Sequence, residues 1–110
     1  QCYAESLEIK QKLGDQSGIA KTLNALGNIA TGQSRFGDAK ELLSQSIEIA
    51  TRLGDQMQIA YASLGLGLLA EKMENKAEAT RLFRAALDIW EKLRSPNVKI
   101  ARESLERVTQ

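Results

Sequence analysis

Few residues in this chain could carry reaction chemistry. There is no histidine, so neither an imidazole base nor the commonest metal ligand is available. The one cysteine, Cys2, has no base partner near it, and a thiol needs one to become a nucleophile. Glu71, Glu74 and Glu78 cluster, but Lys72 and Lys76 interleave with them. That arrangement implies surface ion pairs and not a paired acid and base. Gly65-x-Gly67-x-x-Ala70 has the spacing of a dinucleotide fingerprint, with Asp88 near the expected acidic position. The fingerprint works only as a tight turn between a strand and a helix. Here a helical pattern precedes the glycines and runs through them, and Gly67 repeats Gly27, so helix packing explains the motif. No catalytic residue, metal site or cofactor is expected. What remains suits recognition: Asn24 and Asn28, four apart and therefore on one helix face, can each donate to and accept from a peptide backbone.

Composition narrows the class further. Over 110 residues, 43% are hydrophobic and 26% charged, and 15 basic residues against 14 acidic ones give a net charge of +1. That balance fits one globular domain with a buried core. Basic and acidic residues alternate, whereas a nucleic-acid binder concentrates a basic stripe, so no nucleic-acid partner is expected. The longest apolar run, Leu66 to Ala70, is far too short to cross a bilayer, and no membrane partner is expected. A single thiol cannot close an internal disulfide. The start, Gln1-Cys2-Tyr3-Ala4-Glu5, has neither the basic nor the apolar segment of a leader, and the expected location is cytoplasmic. The chain opens without Met and inside a helical pattern, which reads as a piece of a longer protein.

The elements that position the recognition residues come in a repeat. Leu13-Gly14-Asp15-Gln16 returns as Leu53-Gly54-Asp55-Gln56, 40 residues later. Ile19-Ala20 returns as Ile59-Ala60, Leu26-Gly27 as Leu66-Gly67, and Ala39 as Ala79. Ser6-Leu7-Glu8-Ile9 returns as Ser46-Ile47-Glu48-Ile49 and as Ala86-Leu87-Asp88-Ile89. Steps of three and four through Ile19, Ala20, Leu23, Leu26, Gly27 and Ala30 mark one helix face. The pattern restarts at Phe36 and runs to Leu53. Gly14 and Gly54 are placed to stop helices, and Asp15 and Asp55 to cap the next ones. Ser95 and Pro96 read as the N-cap and first position of a last helix. The expected helices cover roughly 2–13, 16–32, 36–53, 56–73, 76–93 and 96–109. This is an all-α, right-handed helical-repeat solenoid of antiparallel helix pairs, about six helices in one domain. It divides into a half repeat over 1–14, repeats over 15–54 and 55–94, and a closing helix over 95–110.

These positions resemble the tetratricopeptide repeat, whose pattern is W-x2-L-G-x2-Y, then A-x3-F, then P. The matching residues are Leu23, Leu26, Gly27, Ala30, Ala39 and Leu43 in the first full repeat, and Ser63, Leu66, Gly67, Ala70, Ala79 and Phe83 in the second. Tyr3 takes the aromatic position of the leading half. Gly27 and Gly67 are expected where two helices approach closely, with Ala39 and Ala79 facing them. The period of 40, the missing large aromatics and the missing terminal Pro are similar to the longer-helix variety. That variety occurs in animal cell-polarity adaptors and in sensor regions of bacterial signalling ATPases and regulators.

The resemblance implies a concave face, lined by the first helix of each repeat, that holds a protein or peptide. The residues there not needed for packing are Lys21, Asn24, Asn28 and Thr31, then Tyr61, Leu64, Leu68, Glu71 and Lys72. Tyr61, Leu64 and Leu68 form an apolar stripe, open to a partner or covered by the closing helix. Chaperone-binding members of the family hold a terminal carboxylate with a Lys and Asn clamp. Asn28 could fill one place, but Leu64, Gly65 and Leu68 do not supply the rest. Trp90 and Phe83 are expected to pack in the core against the last helix. Arg102, Glu103, Glu106 and Arg107 are expected to give that helix a polar outer face. The leading expectation is an interaction module, a scaffold or sensor region of a larger protein. The alternative is a structural repeat that self-associates or packs on a sister domain, with the N-terminal edge, Tyr3, Leu7 and Ile9, as the place for a second copy.

Overall fold

The computed structural model describes residues 16–110. The expectations for Tyr3, the helix over 2–13, Gly14, Asp15 and the N-terminal edge fall outside them. Five helices follow in order: α1 Gln16–Gly32, α2 Phe36–Leu53, α3 Gln56–Lys72, α4 Lys76–Lys92 and α5 Val98–Val108. There is no strand among the described residues. Helices α1 and α2 form one antiparallel hairpin and α3 and α4 the next. α2 joins the hairpins through α3, α1 also lies against α3, and α5 packs on α4.

One turn closes every hairpin. The chain leaves its helix through a left-handed residue at Ser34 (φ 63°), Gly54 (φ 68°), Glu74 (φ 62°) and Arg94 (φ 55°). The next amide then donates back across the helix end: Arg35 N to Ala30 O, Asp55 N to Ala50 O, Asn75 N to Ala70 O and Ser95 N to Trp90 O, each 2.9 Å. This is the six-to-one bond that satisfies an orphan terminal carbonyl. Glycine takes the left-handed geometry freely only at Gly54. Side chains begin two of the following helices: Asp55 accepts from Gln58 N and Asn75 from Glu78 N, both at 3.2 Å.

The last helix starts later than its Ser-Pro signal suggests. Ser95 Oγ accepts from Asn97 N at 3.1 Å, so the hydroxyl closes a short turn over Pro96. Asn97 turns its amide away from the helix and donates to Tyr61 Oη at 2.9 Å. Regular helix therefore begins at Val98.

The two full repeats pack through a glycine each. A Cβ at Gly27 would stand 2.5 Å from Leu43 Cγ, and one at Gly67 would stand 2.6 Å from Phe83 Cε1. Only a bare Cα admits these side chains. The atoms nearest each glycine belong to Leu43 and Phe83, one turn after Ala39 and Ala79 on the second helix. The two alanines are fully buried in the same clusters, beside Ala30 and Ala70 respectively. Phe83 and Trp90 are fully buried. Phe83 clusters with Val108 and Trp90 with Ala101, both on α5. Burial of each large aromatic contributes on the order of 2–3 kcal/mol. Ser46 Oγ ties the first hairpin by donating to Ala20 O at 2.7 Å.

Candidate partner-binding groove

A groove of about 500 Å³ runs between the C-terminal ends of α1, α3 and α5. Asn28, Thr31 and Gly32 form one wall, Leu68, Glu71 and Lys72 the other, and Arg107 reaches in from α5. Asn28 and Lys72 are exposed, while Leu68 and Glu71 are half-buried. The helical steps 28–31 and 68–71–72 place these side chains together, and the contact of α1 with α3 sets the walls side by side.

Arg107 and Glu71 form a two-pronged ion pair, Nε to Oε2 at 2.5 Å and Nη2 to Oε1 at 2.7 Å. The guanidinium hydrogen bonds hold the Glu71 carboxyl below its ordinary value, partial burial pushes the other way, and the Arg107 charge adds to the lowering. The same fork raises Arg107. Both groups face water, Arg107 at 49% and Glu71 at 26% side-chain exposure, so the pair orders the groove mouth more than it stabilises the fold.

The expected site residues divide into three groups. Asn28, Thr31, Leu68, Glu71 and Lys72 meet at the groove. Lys21 is exposed and lies further up the same face of α1. Asn24, Tyr61 and Leu64 do not line the groove. Tyr61 meets Trp90 edge-on, with ring centroids 5.3 Å apart and planes at 72°, and its hydroxyl accepts from Asn97. Leu64 packs against the clusters of Phe83 and Trp90. α5 covers much of the apolar stripe with Val98, Leu105 and Val108.

Two residues differ from their expected roles. Thr31, read as free of packing, is buried, and its hydroxyl is spent on Gly27 O at 3.0 Å; it shapes the wall and offers no donor. Arg107, read as part of a polar outer face, turns inward to Glu71. No short spacing signals that pair, because 36 positions separate its members.

The carboxylate cluster resolves into separate pairs. Glu71 goes to Arg107, and Glu78 goes to Arg81 on its own helix at 2.8 Å. The Arg81 hydrogen bond lowers Glu78 despite a small opposing effect of burial. Gly65 and Gly67 sit in the middle of α3, Gly65 toward Asn24, Asn28 and Leu43, and Gly67 toward Phe83. Helix contacts on two faces use both glycines. A second cleft, of about 280 Å³, is lined by Leu66, Leu69, Met73 and Leu82 with Lys40 and Glu78 at its rim. No helix among the described residues is long and apolar enough to cross a membrane.

Paired helices with glycine seams, stacked so that their first helices share a groove, define a helical-repeat architecture. The tetratricopeptide repeat family matches residues 18–92. The chain belongs to that family, whose repeats generally mediate protein–protein interaction. Neither the curated proteins nor the solved structures yield a match.

Proposed function

We propose that this chain is a binding module for a protein or peptide and that the groove between α1, α3 and α5 is its site. The observation that carries the reading is the groove's make-up. Leu68 supplies an apolar surface, Asn28 an amide with no partner among the described residues, and Lys72 an exposed charge. A few directional polar groups around an apolar floor are what fix an extended ligand in place. The reading needs no catalytic group.

A peptide array incubated with the chain tests this. Peptides that bind wild type should bind the double variant Asn28→Ala, Leu68→Ala about tenfold or more weakly, the loss of one hydrogen bond and one apolar contact. Gln33→Ala, in the turn after α1, should leave binding unchanged. Equal affinities for all three chains would show that the groove is not the site.

A further inference from the structure

The polar wall of the groove has a direction. A Cβ at Gly65 would stand 2.9 Å from Asn28 Oδ1, 3.4 Å from Asn24 Oδ1 and 2.9 Å from Leu43 Cδ2. Two amide oxygens of α1 therefore converge on the bare Cα of α3. Asn24 Oδ1 is shut off from solvent and accepts no hydrogen bond among the described residues. A buried oxygen without a partner is costly, so its neighbour matters. The C–H of glycine that stands where a Cβ would be is a weak donor to oxygen. An amide turned the other way would press N–H against C–H.

We propose that Gly65 is a positioning residue that fixes the polarity of this groove, and that the partner is an extended peptide segment carrying acidic side chains. The inference rests on the groove reading above and adds the partner's chemistry. With their oxygens seated at Gly65, Asn24 and Asn28 turn their NH2 groups away from α3. Neither NH2 has an acceptor among the described residues. Lys21 lies on the same face of α1, three and seven positions before them, and Lys72 stands on the opposite wall. Glu71, the carboxylate of the groove, is already taken by Arg107. The α1 face and the groove it runs into thus offer donors and positive charge, which match main-chain carbonyls and carboxylates. A basic segment finds the one carboxylate of the groove already paired.

The test uses the whole chain and two blocked peptides, one alternating Glu with Leu and one with Lys in place of each Glu. Wild type should prefer the acidic peptide by about tenfold or more. Gly65→Ala, its fold checked by circular dichroism, should move the side-chain amide resonances of Asn24 and Asn28 in the free protein. It should also erase the preference. Asn28→Asp keeps the shape and exchanges the donor for an acceptor, so it should shift the preference toward the basic peptide. This second variant carries the test if Gly65→Ala does not fold. Gly37→Ala, where a Cβ would meet nothing within 4 Å, should behave as wild type. Unmoved Asn24 and Asn28 resonances in Gly65→Ala would overturn the positioning role, as would an Asn28→Asp chain that still prefers the acidic peptide. A wild type that binds neither peptide would overturn the groove reading and the partner class together, and the amide resonances would still decide the role of Gly65 alone.

Discussion

The same face of the repeat is built twice, 40 residues apart, and the two copies do opposite things. On α1 the positions hold Lys21, Asn24, Asn28 and Thr31; on α3 they hold Tyr61, Leu64, Leu68 and Glu71. The α1 set is polar, and Lys21 and Asn28 stand in water. The α3 set is mostly apolar and half-buried, because Val98, Leu105 and Val108 of α5 lie over much of it. An apolar side chain on an inner face needs a cover, and the closing helix supplies one to the second repeat. The first repeat has α3 beside it, which leaves Asn28 facing the groove. One repeat position serves packing in one copy and stands open in the other, according to what stacks upon it.

The seams offer the hardest test of that contrast. Gly27→Leu and Gly67→Leu should each destabilise by about 1–3 kcal/mol through overpacking. Gly67→Leu should be the worse of the two. Leu43 can rotate its branched end away from an intruder, whereas the Phe83 ring is rigid and held between α3 and α5. Melting temperatures of both variants decide this, and parent-like values would mean that the glycines are not at the seams. Next in size, Ser34→Gly and Glu74→Gly should each stabilise by about 1 kcal/mol. Both residues occupy left-handed backbone, which costs a residue with a side chain roughly 1–2 kcal/mol, and part of the gain is returned as unfolded-chain entropy. Thermal melts should rise by several degrees, and by similar amounts if the turns of the two repeats are equivalent.

The charge at the groove mouth separates the repeats less strongly. Glu71 has Arg107, while Thr31, its counterpart in the first repeat, has only a backbone carbonyl. The folded carboxyl titrates below its ordinary value of 4.5. Its contribution is present above the unfolded value and is lost as pH falls through the lower folded one. For so exposed a pair this amounts to no more than about 1 kcal/mol and shrinks further in salt. Urea midpoints at pH 7 and pH 3 should converge between wild type and Glu71→Gln at the acidic end. A difference that persists at pH 3 would assign the effect to packing. Smallest in stability should be Asn28→Leu, within about 0.5 kcal/mol, since the residue is exposed. It makes the α1 wall resemble α3 without a cover, so sedimentation should show concentration-dependent association.

Much of this frame is legible in the sequence. The boundaries of α1 and α2 follow from the apolar steps and the polar breaks, and Gly54 and Asp55 announce their turn by residue type. Ser34, Glu74 and Arg94 make the same turn without any glycine to mark it; repetition of the helix lengths, not local preference, puts them there. The faces of α1 and α3 follow from period and spacing. Which of their residues stay open does not, because that depends on where α5 lies. Its late start and its inward Arg107 come from contacts with Tyr61 and Glu71, each 36 positions away. Thr31 is a case of direction: its place on the helix is legible, but the hydroxyl's choice of Gly27 O is a local competition that the pattern leaves open.

The recurrent turn has a consequence for how the chain finds this shape. Every hairpin is closed by residues five apart, and the side-chain hydrogen bonds among the described residues join positions no more than 36 apart. Little of the chain has to search over long loops, and the entropy of bringing distant segments together is small. Folding of such a topology belongs to the microsecond-to-millisecond range. It can begin at either hairpin and spread to its neighbour. The groove's third wall comes from α5, whose hydrogen bonds to α3 span 36 positions, so the groove is complete only once α5 has docked on both hairpin helices.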